Sequence, residues 1–215
     1  MHAFMADAIE AAPQTSVSPD GSEATGRRPF LILARHGKPS PDRSVWIDRE
    51  AYRAWWAGYD AAGLAPGEAP PQELLEAAAG APVLVASTLR RALETAQAVC
   101  HGRCIAQDPI FVEARLPPPP LPRIIRLRPG AWGVIARIAW WLGYSGGEES
   151  RRSAEKRAQQ AACQLIALAE RHGGAMLVAH GWFNRMMRPV LLAQGWECVE
   201  DGGDDYWSFR RYERR

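Results

Sequence analysis

Lysine is almost missing. Of 26 basic residues among 215, only Lys38 and Lys156 are lysine, and the other 24 are arginine. Arginine suits forked recognition of phosphate, although so complete a bias reads first as a compositional preference. Charge of either sign is not in excess: against 24 acidic residues the net charge is +2. That excludes a generally basic, nucleic-acid-binding surface as the main business of the chain. Long hydrophobic runs are missing too. None reaches the ~20 residues a membrane-spanning helix needs, so no spanning segment is expected. Cysteine is scarce, with Cys100, Cys104, Cys163 and Cys198 at spacings that make neither a disulfide framework nor a zinc site. The CHGRC stretch around His101 has no fourth ligand nearby, so neither a metal nor a cofactor is expected. The first residues carry Asp7 and Glu10 where an export signal needs a basic start and an apolar core. A cytoplasmic protein is the expectation.

What is present is an alternation. Residues 1–28, rich in Ala, Ser, Pro and Gly, are expected to form a mobile tail, and 29–215 a single catalytic domain. Three short apolar runs read as buried strands: Phe30–Ala34, Val83–Ala86 and Ala175–Ala179. Weaker strand patterns lie at Ile110–Val112 and Tyr206–Tyr212. Helical spacing marks Arg49–Leu64, Thr88–Cys100 after a capping Ser87, Glu148–His172, and Phe183–Gln194. Strands alternating with helices predict an α/β fold, a three-layer α/β/α sandwich around a largely parallel sheet.

Each of the three main strands ends in a polar group: Arg35-His36, Ser87 leading to Arg91, and His180. Ligands of such sheets sit beyond the carboxyl ends of the strands, and helix N-termini there favour an anion. Two histidines and two arginines in that position predict a pocket for a dianionic phosphoryl group.

The motifs carry a resemblance. LILARHGKP resembles the RHG signature of the histidine phosphatase superfamily, the phosphoglycerate mutase-like proteins. STLRRALETA at 87–96 is similar to the family's S-x-L-x-R-A-x-x-T-A motif, in a register that selects Arg91 over Arg90. VAHG at 178–181 resembles the second-histidine motif, and GGEES at 146–150 the G-E-S helix start. The resemblance runs over about 29–212, with the motifs in family order. It implies the phosphoglycerate mutase-like fold and catalysis through phosphohistidine, with no metal. His36 would attack phosphorus, and Arg35, Arg91 and His180 would hold the phosphoryl oxygens. Glu113, after a short apolar run, would be the general acid, with Glu148 and Glu149 next in line. Mutases of the family follow RHG with a Trp-Asn pair, whereas this chain continues KPSPDRSVW. Hydrolysis of a small-molecule phosphomonoester is therefore expected rather than mutase activity. A phosphoprotein or phosphohistidine phosphatase, or a weakly catalytic phospho-ligand-binding protein, is the alternative on the same fold. An interfacial protein using its Trp-rich segment on a membrane is a third reading.

That segment, Ala131–Tyr144, reads AWGVIARIAWWLGY. As a helix it would span about 21 Å, short of a ~30 Å hydrocarbon core. It is either a buried helix or a cap whose Trp140 and Trp141 form a wall for a bulky substrate. The run Pro117–Pro120 reads as a rigid wall beside the pocket or, alternatively, as a docking ligand.

Overall fold

A computed structural model describes residues 28–215; the expected tail lies, except for Arg28, outside the described residues. Alternating burial builds the centre of the molecule. In β1 (Phe30–Arg35) Leu31 and Leu33 point to one apolar cluster, and Ile32 and Ala34 to the other. A strand covered on both faces must be apolar on both, which is why the run reads FLILA with no polar alternation.

The chain continues through α1 (Arg49–Ala61), α2 (Gln72–Gly80), β2 (Val83–Ala86), α3 (Arg90–Val99) and β3 (Ile105–Gln107). After these come α4 (Pro129–Trp141), α5 (Arg151–His172), β4 (Gly174–Ala179), α6 (Gly181–Ala193), β5 (Trp196–Asp201) and β6 (Phe209–Arg214). The sheet order is β3-β2-β4-β1-β6-β5. β3, β2, β4 and β1 are parallel, and the β5–β6 hairpin adds an antiparallel edge beside β1. Buried residues of α5 and α6 cover one face of the sheet, and those of α2 and α3 the other. The layered α/β architecture expected from the sequence is present, as a mixed rather than wholly parallel sheet.

Several boundaries differ from expectation, each for a physical reason. Ile110–Val112 is not a strand. Pro109 removes a ladder donor, and the Asp108 carboxylate accepts from Ile110 N–H at 2.8 Å, closing a 3₁₀ turn over Pro109–Phe111. The strand lies just before it, at β3. Ser87 does not cap α3, whose N-cap is Leu89 with no side-chain bond; its hydroxyl is used elsewhere, as described below. α5 starts at Arg151 because Ser150 is the residue that caps it, accepting from Ser153 N–H. It ends at Gly173, which adopts φ 79°, the left-handed conformation that closes many helices.

The Trp-rich segment is a helix, α4, with Pro129 at its first turn where a missing N–H costs nothing. Its two adjacent tryptophans have opposite fates. Trp140 is 1% exposed, packs with Ala114, Leu116, Ala136 and Ala154, and donates its indole N–H to Glu149 O at 2.9 Å. Trp141 is 55% exposed. Pro117–Pro119 are buried, so this run is a wall of the structure and not a free docking ligand. Trp140→Ala is expected to cost about 3–5 kcal/mol in chemical denaturation, the usual range for an emptied aromatic site. Trp141→Ala should stay within about 0.5 kcal/mol.

Candidate active site

Arg35 and His36 at the end of β1, Arg91 of α3, Glu113 and Gly181 after β4 line one cavity of about 300 Å³, while Ser87 and His180 lie buried behind its lining. Arg35 ends β1, and His36 and Gly37 follow it into the loop. The fit there is tight: a Cβ on Gly37 would lie 2.2 Å from the Trp207 ring, so this position excludes any side chain. Gly37 N–H donates to Thr95 Oγ1 at 2.9 Å, and that hydroxyl donates to Arg91 O at 2.7 Å. One threonine on α3 thus ties the RHG loop to the backbone of the phosphate-motif arginine.

His36 is buried, and its Nδ1 lies 2.7 Å from Gly37 O. A carbonyl only accepts, so Nδ1 carries the proton. Burial first, then the charges of Arg91, Arg35 and Arg43, hold the ring's pKa well below 6.5, against the raising effect of the Gly37 carbonyl. The imidazole is therefore neutral with an unprotonated Nε2, which accepts from Arg91 Nε–H at 3.3 Å.

Arg91 has no exposed surface. Its guanidinium donates to Tyr59 O at 2.9 Å and to Asp60 Oδ1 at 3.2 Å, and lies 4.6 Å from the Tyr59 ring centre. Arg90 instead points outward and pairs with Glu94 at 2.7 Å, one turn on. Of these two neighbours, only Arg91 faces the cavity.

His180 lies between β4 and α6 with its ring centre 5.2 Å from that of His36. Its Nε2 is 2.7 Å from Ser87 Oγ, which in turn is 3.4 Å from Leu89 N–H. Its Nδ1 is buried and meets no partner among the described residues. Burial and the nearby arginines push its pKa well below the ordinary histidine value, so this ring is neutral as well.

Glu113 follows the 3₁₀ turn and reaches the first turn of α6. Its carboxylate accepts from Phe183 N–H at 2.9 Å, Ala114 N–H at 3.1 Å and Trp182 N–H at 3.3 Å. Burial raises its pKa above 4.5, opposed by Arg91 and by those three N–H groups. The segment before it is anchored by Arg157, which donates to Ile110 O and Val112 O, each at 2.8 Å. Glu149 grips the same guanidinium from the other side at 2.9 and 2.7 Å. That employment, and Glu148's position over a neighbouring cavity, take both reserve carboxylates away from the pocket.

Other lining residues carry no motif. Arg43, Arg137 and Arg185 are cations, Trp55, Trp56 and Tyr59 of α1 are an aromatic wall, and Trp182 flanks them. The indole wall foreseen for Trp140 and Trp141 is therefore built by α1, while α4 contributes Gly130, Gly133, Val134 and Arg137. Asp204 accepts Arg185, Arg188 and Arg210, which holds its pKa far below the carboxylate range despite partial burial. Its backbone oxygen accepts from Arg35. Arg137 has no such partner; its guanidinium lies 4.0 Å from the Trp182 ring centre. Only the crowding of tryptophans near Tyr59 hinted at these residues in the sequence.

Five buried nitrogen atoms here meet no hydrogen-bond partner among the described residues: Arg35 Nε, Arg137 Nε, His180 Nδ1, Trp56 Nε1 and Trp182 Nε1. Unpaired buried donors are costly unless something anionic pairs with them. Among the described residues no group of three or more His, Cys, Asp or Glu is placed to hold a metal. At CHGRC, Cys100 is buried while Cys104 is exposed.

The family model of the histidine phosphatase superfamily, branch 1, matches residues 31–201. Comparison with curated proteins gives no match. Among solved structures, a mycobacterial glucosyl-3-phosphoglycerate phosphatase with vanadate is 21% identical, with TM-score 0.55 over 85% of this chain and 92% of that one. The same mycobacterial enzyme in its native form gives 22% identity and TM-score 0.51 over 78% and 81%. A structure titled mycobacterial hydrolase 2 gives 21% and 0.51 over 86% and 88%. At these identities the likeness is one of fold.

Inorganic phosphate offers a direct check on the geometry. Arg91→Lys, which keeps the charge but loses the fork, should weaken phosphate binding about 10–100-fold by calorimetry. Arg90→Ala should leave it within about twofold.

Proposed function

The chain belongs to the histidine phosphatase superfamily, and from that premise we propose that it hydrolyses a small-molecule phosphomonoester in the cytoplasm, through a phosphohistidine on His36. The observation that carries this reading is the proton arrangement of His36. A neutral ring with its proton committed to Gly37 O presents an unprotonated nitrogen at the pocket, and only that form is a nucleophile.

The steps of this mechanism assign one task to each residue. His36 Nε2 attacks phosphorus as the bond to the leaving oxygen breaks. Glu113, protonated, gives its proton to that oxygen. The resulting carboxylate then takes a proton from water, whose oxygen attacks the phosphohistidine and releases inorganic phosphate and neutral His36. Arg35, Arg91 and His180 Nδ1–H hold the equatorial oxygens, so guanidinium groups supply the positive field that phosphoryl transfer requires. Trp55, Trp56 and Tyr59 beside the leaving group favour an alcohol with an apolar or aromatic body. A cavity of about 300 Å³ fits a small molecule better than a folded phosphoprotein. It offers nothing to a nucleic-acid backbone beyond a single phosphate.

His36→Ala should abolish turnover with a stability change of about 1–3 kcal/mol, because the ring it removes is buried. Acid-labile, base-stable phosphate trapped on quenched wild type should vanish in that variant. A variant that turned over like wild type would end the covalent mechanism.

Linkage gives a second test. His36 must be neutral, so kcat/KM falls as pH drops through its depressed pKa, well below 6.5. Glu113 must be protonated, so kcat/KM also falls as pH rises through its elevated pKa, above 4.5. Glu113→Gln should remove the basic limb alone. It should slow alkyl phosphates by about 10²–10⁴-fold and aryl phosphates less, since a good leaving group needs little protonation. Equal losses on both substrate types would take the acid role from Glu113.

A further inference from the structure

α4 has three faces. Pro129, Gly130, Gly133 and Arg137 look into the active-site cavity, and Trp132, Ala136 and Trp140 are buried. The third face is turned to solvent, and it carries Val134, Ile138, Trp141 and, just past the helix end, Leu142 at 54, 57, 55 and 84% exposure. A surface helix ordinarily puts polar residues there. Here the solvent face has none, because the helix's one charge, Arg137, is spent on the pocket side.

The surroundings of this face are cationic. Residues 114–147 contain Arg115, Arg123, Arg126, Arg128 and Arg137 and no acidic residue at all. At the start of α4 the patch extends to exposed Trp46 and Ile124, with the Arg128 guanidinium 5.6 Å from the Trp46 ring centre. Arg126 donates to Trp46 O, and neither Arg126 nor Arg128 forms an ion pair among the described residues. At the other end Arg151 lies 4.4 Å from the Trp141 ring centre. Arg115, Arg123 and Arg151 are paired with acids, so the free positive charge of this surface is that of Arg126 and Arg128, beside exposed apolar side chains and indoles.

We propose that this face docks the protein onto an anionic lipid bilayer surface. α4 lies in the plane of the interface, since among the described residues no helix is long and apolar enough to cross a membrane. Ile138 and Leu142 enter the acyl boundary, Trp46 and Trp141 sit at headgroup depth, and Arg126 and Arg128 meet lipid phosphates. Charge complementarity selects an anionic membrane over a second copy of the chain, which would set arginine against arginine. Val134 belongs to both the patch and the cavity wall, so docking brings the pocket mouth to the membrane surface.

The test uses the full chain in flotation with phosphatidylcholine vesicles, with and without about one-third phosphatidylglycerol. Wild type should partition at least about tenfold better onto the anionic vesicles at low ionic strength, and salt should erode the difference. The double variant Ile138→Ser, Leu142→Ser, outside the cavity, should lose at least about tenfold of that binding. Its melting temperature and its hydrolysis of soluble p-nitrophenyl phosphate should match wild type, which separates this surface from the proposed chemistry. Arg126→Ala with Arg128→Ala should abolish the preference for phosphatidylglycerol. Equal partition onto both vesicle types, or binding untouched by the Ser variant, would overturn the proposal. So would a wild-type dimer in sedimentation velocity that the Ser variant converts to monomer without either form binding vesicles.

Discussion

The hydrogen bond from His36 Nδ1 to Gly37 O is the contact on which the rest of the site depends. An imidazole among arginines has little tendency to take a second proton, but neutrality alone does not say which nitrogen is bare. The carbonyl decides it. That carbonyl can hold its place only if the Gly37 backbone is fixed, and Trp207 packed against the glycine and Thr95 bonded to its N–H fix it. Thr95 also bonds Arg91 O, so the same residue sets the position of the guanidinium that faces Nε2. Removing any of these would act through the proton position on His36 before it acted on packing.

The two histidines are neutral for the same reason and serve different ends. His36 has its proton on the nitrogen turned to backbone, leaving a lone pair for the cavity. His180 meets Ser87 Oγ through Nε2, and its buried Nδ1 meets no partner among the described residues. In the proposed mechanism the first ring is the nucleophile and the second a donor to the phosphoryl group. Glu113 completes the division with a pKa displaced upward while those of the histidines are displaced downward. Groups whose pKa values are pushed apart in this way can take opposite parts in one proton transfer.

How far this was legible in the sequence depends on the range of the interaction. FLILA, VLVA and AMLVA announced buried parallel strands because both faces must be apolar, and the polar residue after each run marked the edge of the site. The arginine register was legible through the motif, and the turn of about 100° between neighbours on α3 sends Arg91 to the cavity and Arg90 to the surface. β5, at the sheet edge, escaped notice since WECVED is mostly exposed and lacks a clean apolar period. α2 was missed because QELLEAAAG has a weak apolar stripe. Asp204, Arg137 and the α1 tryptophans come from loops and helices far apart in the chain, and nothing local relates them to His36. Ala131–Tyr144 allowed a buried helix or an indole cap; Trp140 follows the first, and the indoles of the cavity come from α1, because composition shows that tryptophans are there but not which of two neighbouring helices turns them inward.

That outcome has a physical cause in α4. A helix that must fill the space beside the sheet, line a cavity and face solvent divides its circumference into three arcs. With 3.6 residues per turn, adjacent residues point about 100° apart, so Trp140 and Trp141 cannot share an arc. Trp140 fell to the buried arc, where Ala114, Leu116 and Ala154 give it small neighbours and Glu149 O takes its N–H. Trp141 was left on the outer arc with Ile138 and Leu142. The pocket arc was left to Gly130 and Gly133, where an added Cβ would meet only Arg43 at 3.9 Å and the Tyr52 hydroxyl at 3.7 Å, and to Arg137. The cavity's aromatic character therefore comes from Trp55, Trp56 and Tyr59 of α1, and α4 gives it open space and one cation.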